Sequence, residues 1–150
     1  MCLICDRVKN IIEGTNPYLV HEFKHSFLVV GDHQYFKGYC LLIMKEHFED
    51  LTDLDKEVQE EYMGEVLLAA KFLKEYYKPI RMNYSCLGNF VPHVHYHLFP
   101  RYQEDLANDE TKNPWHCIDK FDEFKLGPQE AKVLAAKLKI ALNKFIQKAS

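Results

Sequence analysis

Nowhere in the 150 residues is there a basic tract, and the formal net charge is −3, so a nucleic-acid polymer is not the expected partner. No apolar run approaches the roughly 20 residues that span a bilayer, which removes a membrane partner from the expectation. Residues Met1 to Asp6 lack the basic flank and long apolar segment of a secretory signal, and a cytoplasmic protein is expected. No repeat, low-complexity tract or Pro/Gly linker divides the chain. One domain is therefore expected over 1–150, with its core at about 1–116 and a C-terminal helical extension at 127–149. The chain also lacks a glycine-rich strand-to-helix turn, which argues against the dinucleotide-binding and P-loop classes.

What is present reads as an ordinary globular protein, 47% hydrophobic and 27% charged, large enough to bury a core without staples. Its cysteines, at 2, 5, 40, 86 and 117, are odd in number and cannot all pair. In a reducing compartment most should be free thiols or metal ligands.

A first helix is predicted over Cys5 to Glu13, with Val8, Ile11 and Ile12 on one side, stopped by Gly14-Thr15-Asn16-Pro17. Strands follow at Tyr18 to Glu22, Ser26 to Val30 and, after a loop from Gly31 to Gly38, Tyr39 to Met44. Val58, Tyr62, Val66, Ala69, Ala70 and Leu73 recur at three- and four-residue steps and predict a long helix over Lys56 to Tyr77. Two more strands are expected at Arg81 to Leu87 and His93 to Phe99, around a turn at Gly88-Asn89. The polar stretch from Arg101 to Lys125 has no period and is expected to wrap the surface. A last helix starts near Gly127-Pro128 and buries Ala131, Leu134, Leu138, Ala141, Leu142 and Phe145. Runs of strands without regular helical crossovers favour an antiparallel α+β sheet.

Pro92-His93-Val94-His95-Tyr96-His97-Leu98 carries the chemistry. Alternate residues of a strand share a face, so the three imidazoles are expected roughly 6.5–7 Å apart, with Val94, Tyr96 and Leu98 turned into the core. Imidazoles act as nucleophiles, acids, bases or metal ligands near neutral pH. Spacing alone leaves a three-histidine catalytic zinc as open as a nucleophilic site. Cys2-Leu3-Ile4-Cys5 has the gap that lets two thiolates reach one metal, but supplies only half a site.

Asn83-Tyr84-Ser85-Cys86-Leu87-Gly88-Asn89-Phe90-Val91-Pro92 followed by the three histidines and Leu98-Phe99-Pro100-Arg101 resembles the histidine-triad (HIT) superfamily. Gln34 to His47 and Asn113-Pro114-Trp115 match the same pattern, closest to the bacterial branch labelled diadenosine tetraphosphate hydrolase-like. The resemblance implies a HIT-like fold: a five-stranded antiparallel sheet under one long helix, with a short N-terminal and a C-terminal helix. It further implies a small nucleotide substrate attacked at its α-phosphorus by His95, with a covalent nucleotidyl-histidine intermediate, and His97 donating to a phosphate oxygen. Asn83 and Asn89 are implied as phosphate contacts or supports of the triad. Phe27 and Val29 are implied for the base, and Asp32 or Gln34 for the ribose. Many relatives carry a fourth histidine where this chain has Tyr39 after Gly38. The family further implies a structural zinc held by Cys2, Cys5, His47 and His93, and a two-fold homodimer. His21, His25, His33 and His116 have no such context and are expected at the surface. A binding protein with little turnover, and a metal-dependent hydrolase using all three histidines, are the alternatives.

Overall fold

The computed structural model describes residues 1–106 and 113–150; the middle of the polar stretch expected to wrap the surface lies outside them. The architecture is the expected α+β arrangement. Strands β1 (Leu19–Glu22), β2 (Ser26–Val30), β3 (Cys40–Met44), β4 (Arg81–Ser85) and β5 (His95–Arg101) form one antiparallel sheet in the order β1-β2-β3-β5-β4.

β2 and β3 are buried at every position, so both sheet faces are covered, and their uninterrupted apolar runs follow from that. Helices α2 (Lys56–Tyr77) and α4 (Pro128–Ala149) lie on one face. Tyr62, Val66, Ala69 and Leu73 of α2 and Leu138 and Leu142 of α4 pack there against Leu28, Leu42 and Leu98. Helix α1 (Leu3–Ile12) covers part of the other face, with Ile4, Val8 and Ile11 against Phe27, Val29, Leu41 and Ile43. No helix among the described residues is long and apolar enough to cross a membrane.

Several boundaries differ from expectation by one or two residues, and three of them bear on the site. α1 begins two residues before Cys5, because the Cys2 thiol sits at the N-cap and accepts from the Cys5 backbone N–H. β4 stops at Ser85 instead of Leu87, and β5 opens at His95 instead of His93. At that end Val94 donates its N–H to the Phe48 carbonyl and accepts from the Met44 N–H, which ties 93–94 to the segment after β3. Part of the 101–125 stretch also departs from a surface wrap. A short helix α3 (Gln103–Leu106) and a 3-10 segment (Pro114–Phe124) lie in it, and Phe121 of that segment is buried in the α1-side core.

Candidate active site and metal centre

β3 and β5 run antiparallel, with Leu41 opposite His97 and Ile43 opposite His95. This register sets His95, His97 and Phe99 on the α1 side of the sheet, and Leu98 in the opposite core. Val94, Tyr96 and Leu98 turn into the α2 and α4 core as expected, and His93 lies with His95 and His97 on the α1 side, but only the latter two are on the strand. His93 lies before the strand, and its ring turns instead to His47, with the centroids 5.1 Å apart.

The hydrogen bonds define one protonation pattern. The His95 Nδ1–H donates to the His93 carbonyl, which can only accept, so the neutral ring carries its lone pair on Nε2. That nitrogen stands 3.0 Å from His97 Nε2, which must then hold the proton and donate. His97 Nδ1 is left bare and lies 2.7 Å from the Tyr39 hydroxyl, its donor. Burial lowers the pKa of His95, and burial followed by the neighbouring His95 brings that of His97 down to about 3. Burial raises the Tyr39 phenol well above its ordinary value, so it stays a donor. The site is thus a chain of neutral donors and acceptors, with the unprotonated His95 Nε2 accepting at its centre.

A cavity of about 380 Å³ opens beside the two rings. Leu87, Phe90, Val91, Trp115 and Ile118 supply its apolar lining, while His95, His97, Gly88 and Asn89 complete it. Trp115 meets the His97 ring edge-on at 4.7 Å and is held by its Nε1–H, which donates to Ser85 Oγ. Asn113 caps the start of this segment by accepting from the Trp115 backbone N–H.

Of the remaining expected contacts, Asn89 lines the cavity, but Asn83 does not; its Oδ1 accepts from Arg101. Phe27 and Val29 are buried core residues rather than an open base platform, because α1 covers them. Gln34 is committed to its own loop, donating to the His33 and Tyr39 carbonyls and accepting from the Gly38 N–H. Asp32 is exposed and paired with Arg7 of α1. His33, expected at the surface, is instead sandwiched between Tyr39 and Phe121, and burial brings its pKa down to about 4. Its Nδ1 has no hydrogen-bond partner among the described residues. Spacing did not single out Trp115, Ile118 or the bond from Tyr39 to His97; only the Asn-Pro-Trp string pointed toward the first.

The second cluster lies under the start of α1. Cys2, Cys5, His47 and His93 bring one donor atom each to within 4.8 Å of one another. Cys2 Sγ lies 3.5 Å from His93 Nδ1, Cys5 Sγ 3.3 Å from His47 Nδ1 and 3.6 Å from His93 Nδ1, and the two Nδ1 atoms are 3.2 Å apart. Zinc–sulfur bonds of about 2.3 Å and zinc–nitrogen bonds of about 2.0 Å give tetrahedron edges of roughly 3.3–3.8 Å, which these four distances match. His93 Nε2–H donates to the Met44 carbonyl, which turns the Nδ1 lone pair toward the thiols as an outer-shell carbonyl should. Both His93 nitrogens are therefore committed. That geometry sets His93 with the thiols rather than with the rings of His95 and His97.

A family model described as HIT domain matches residues 15–104. The chain is 30% identical over 107 residues to Protein hit of Bacillus subtilis, covering 67% of this chain and 71% of that one. It is 28% identical over 104 residues to adenosine 5′-monophosphoramidase HNT1 of Saccharomyces cerevisiae, covering 69% and 64%. A zinc-bound histidine triad family protein from Mycobacterium smegmatis has the same fold. That structure matches with a TM-score of 0.64 at 22% identity, over 99% of this chain and 97% of its own.

Proposed function

The chain belongs to the HIT family, and on that footing we propose that it is a nucleotide hydrolase or transferase that attacks an α-phosphorus with His95. The observation that carries this reading is the unprotonated His95 Nε2, on a ring that lines the cavity and whose other nitrogen is held by the His93 carbonyl. That lone pair forms a nitrogen–phosphorus bond as the bond to the leaving group breaks, and the leaving group takes the bonding pair. His97 Nε2–H turns from His95 to a phosphate oxygen, a preorganised donor for the charge that develops there. Water, or another acceptor, then attacks phosphorus and releases the nucleotide, freeing His95. Asn89 is the amide best placed for phosphate. Asp32 serves the ribose only by leaving Arg7.

Two leaving groups fit the family resemblance, the second nucleotide of a dinucleoside polyphosphate and the amine of a nucleoside phosphoramidate. Apolar side chains supply most of the cavity beside His95 and His97, and Phe90 is 96% exposed at its edge. Such a surface suits an apolar amine better than a polyphosphate chain, which keeps its affinity for water and cations. The yeast relative is an adenosine 5′-monophosphoramidase, in keeping with this choice. A panel comparing an aromatic nucleoside phosphoramidate with diadenosine tetraphosphate by kcat/KM tests it. The phosphoramidate is expected to lead, and preference for the tetraphosphate would return the chain to the diadenosine tetraphosphate hydrolase-like branch.

Zinc is the ion we assign to Cys2, Cys5, His47 and His93. With four protein ligands it would be structural, tying α1 to the strand that carries the histidines. We also infer a two-fold homodimer through part of Lys56–Tyr77, where Met63 and Leu67 are exposed. Light scattering showing a monomer at micromolar concentration would contradict it.

A further inference from the structure

Tyr39 follows Gly38 at the entry to β3, and its surroundings are built around its hydroxyl. The ring is 4% exposed and stacks between His33 at 4.7 Å and Phe99 at 4.4 Å. It lies directly over Gly31, where a Cβ would meet ring carbons at 2.1 and 2.4 Å. The Gly31 N–H and the Gln34 amide both donate to the Tyr39 carbonyl, fixing the backbone from which the ring extends. The hydroxyl ends 2.7 Å from His97 Nδ1.

We propose that Tyr39 is a positioning residue that selects the Nε2–H tautomer of His97, so that the proton faces the phosphate. The opposite tautomer would donate from Nδ1 to the phenol oxygen and leave two bare nitrogens, His95 Nε2 and His97 Nε2, facing each other at 3.0 Å. A phenol keeps no cation in the site, and its single O–H is given to His97 Nδ1, while the His95 Nε2 lone pair takes the proton on the other side of the ring. A histidine at this position would offer two nitrogens, whose roles another neighbour would have to settle. The inference rests on the proposed role of His97, yet the tautomer can be read without turnover.

Nitrogen-15 NMR of the imidazoles in the metal-loaded, full-length protein is the test. The expected spectrum has His97 protonated at Nε2 and bare at Nδ1. In Tyr39→Phe, which removes only the donor, the two His97 signals should move toward a mixture of tautomers. With the phosphoramidate substrate, kcat should fall about 10-fold with KM little changed, the scale of one hydrogen bond. Tyr39→His, which restores an N–H donor, should recover part of that loss. His97 protonated at Nδ1 in the wild type would overturn the proposal. So would a Tyr39→Phe protein with unchanged His97 signals and unchanged kcat. If Tyr39→Phe fails to fold, the wild-type spectrum decides alone. An inactive wild type whose His97 signals shift in Tyr39→Phe would sink the proposed reaction and still support the assignment of Tyr39.

Discussion

Gly31→Ala is a small change whose consequence can be worked from distances. Gly31 has no positive φ, so the backbone accepts alanine and the effect is steric. The new methyl would meet Tyr39 Cδ1 at 2.1 Å, Cε1 at 2.4 Å and Cγ at 2.8 Å. Carbon pairs rest at about 3.5–4.0 Å, so ring and methyl must separate by roughly 1.4 Å. Tyr39 is hemmed in by His33, His97 and Phe99, and no flexible side-chain end is available to yield. Overpacking of this kind costs about 1–3 kcal/mol, and losing the bond to His97 adds about 1 kcal/mol. For a domain of this size each kcal/mol moves Tm by about 2–4 °C, giving a fall of roughly 4–16 °C. Calorimetry and steady-state kinetics on the purified variant measure both effects, and kcat should fall with Tm. A Gly31→Ala protein with wild-type Tm and kcat would refute the reasoning, because the Tyr39 ring could not then lie over Gly31.

Recombinant protein should carry about one zinc per chain, and Cys5→Ala should lower Tm more than it lowers kcat. Metal analysis finding none, in protein never exposed to chelator, would contradict the ligand set. Acid should destabilise the fold through His33, whose pKa falls from 6.5 to about 4 on burial. A histidine depressed in the folded state contributes its stability fully above pH 6.5 and loses it as pH falls through 4. Urea unfolding should therefore show wild type losing roughly 2 kcal/mol more than His33→Phe between pH 7 and pH 4.5. Equal losses would show that His33 is not held neutral.

The sheet, the long helix and the order of elements were legible because each rests on a local period. Val58 to Leu73 repeats at helical steps, and β2 and β3 are unbroken apolar runs. Errors came where long-range bonds override the local pattern. His93 reads as the first residue of a strand, yet its Nε2 is claimed by Met44 and its Nδ1 faces the thiols. Cys2 was not read as a cap, since its usual occupants are Ser, Thr, Asp and Asn. Trp115 and Phe121 lie on a 3-10 segment with neither helix nor strand period, so nothing local marks them as packing on His97 and His33. Phe27 was ambiguous because an apolar strand residue looks the same beneath a helix as beside a ligand. The thiol pair of α1 was visible as half a metal site, and the resemblance supplied His47 and His93. The distances among all four donors had to come from the fold.

The central claim is that phosphorus passes through His95, and adduct mapping tests it most directly. Wild type mixed briefly with labelled nucleoside phosphoramidate and quenched should yield an acid-labile nucleotidyl adduct. Mass spectrometry should place it on His95, and His95→Ala should lose both the adduct and several powers of ten in kcat, each tenfold step being about 1.4 kcal/mol of barrier. An adduct on His97, or a His95→Ala protein turning over near the wild-type rate, would contradict the account.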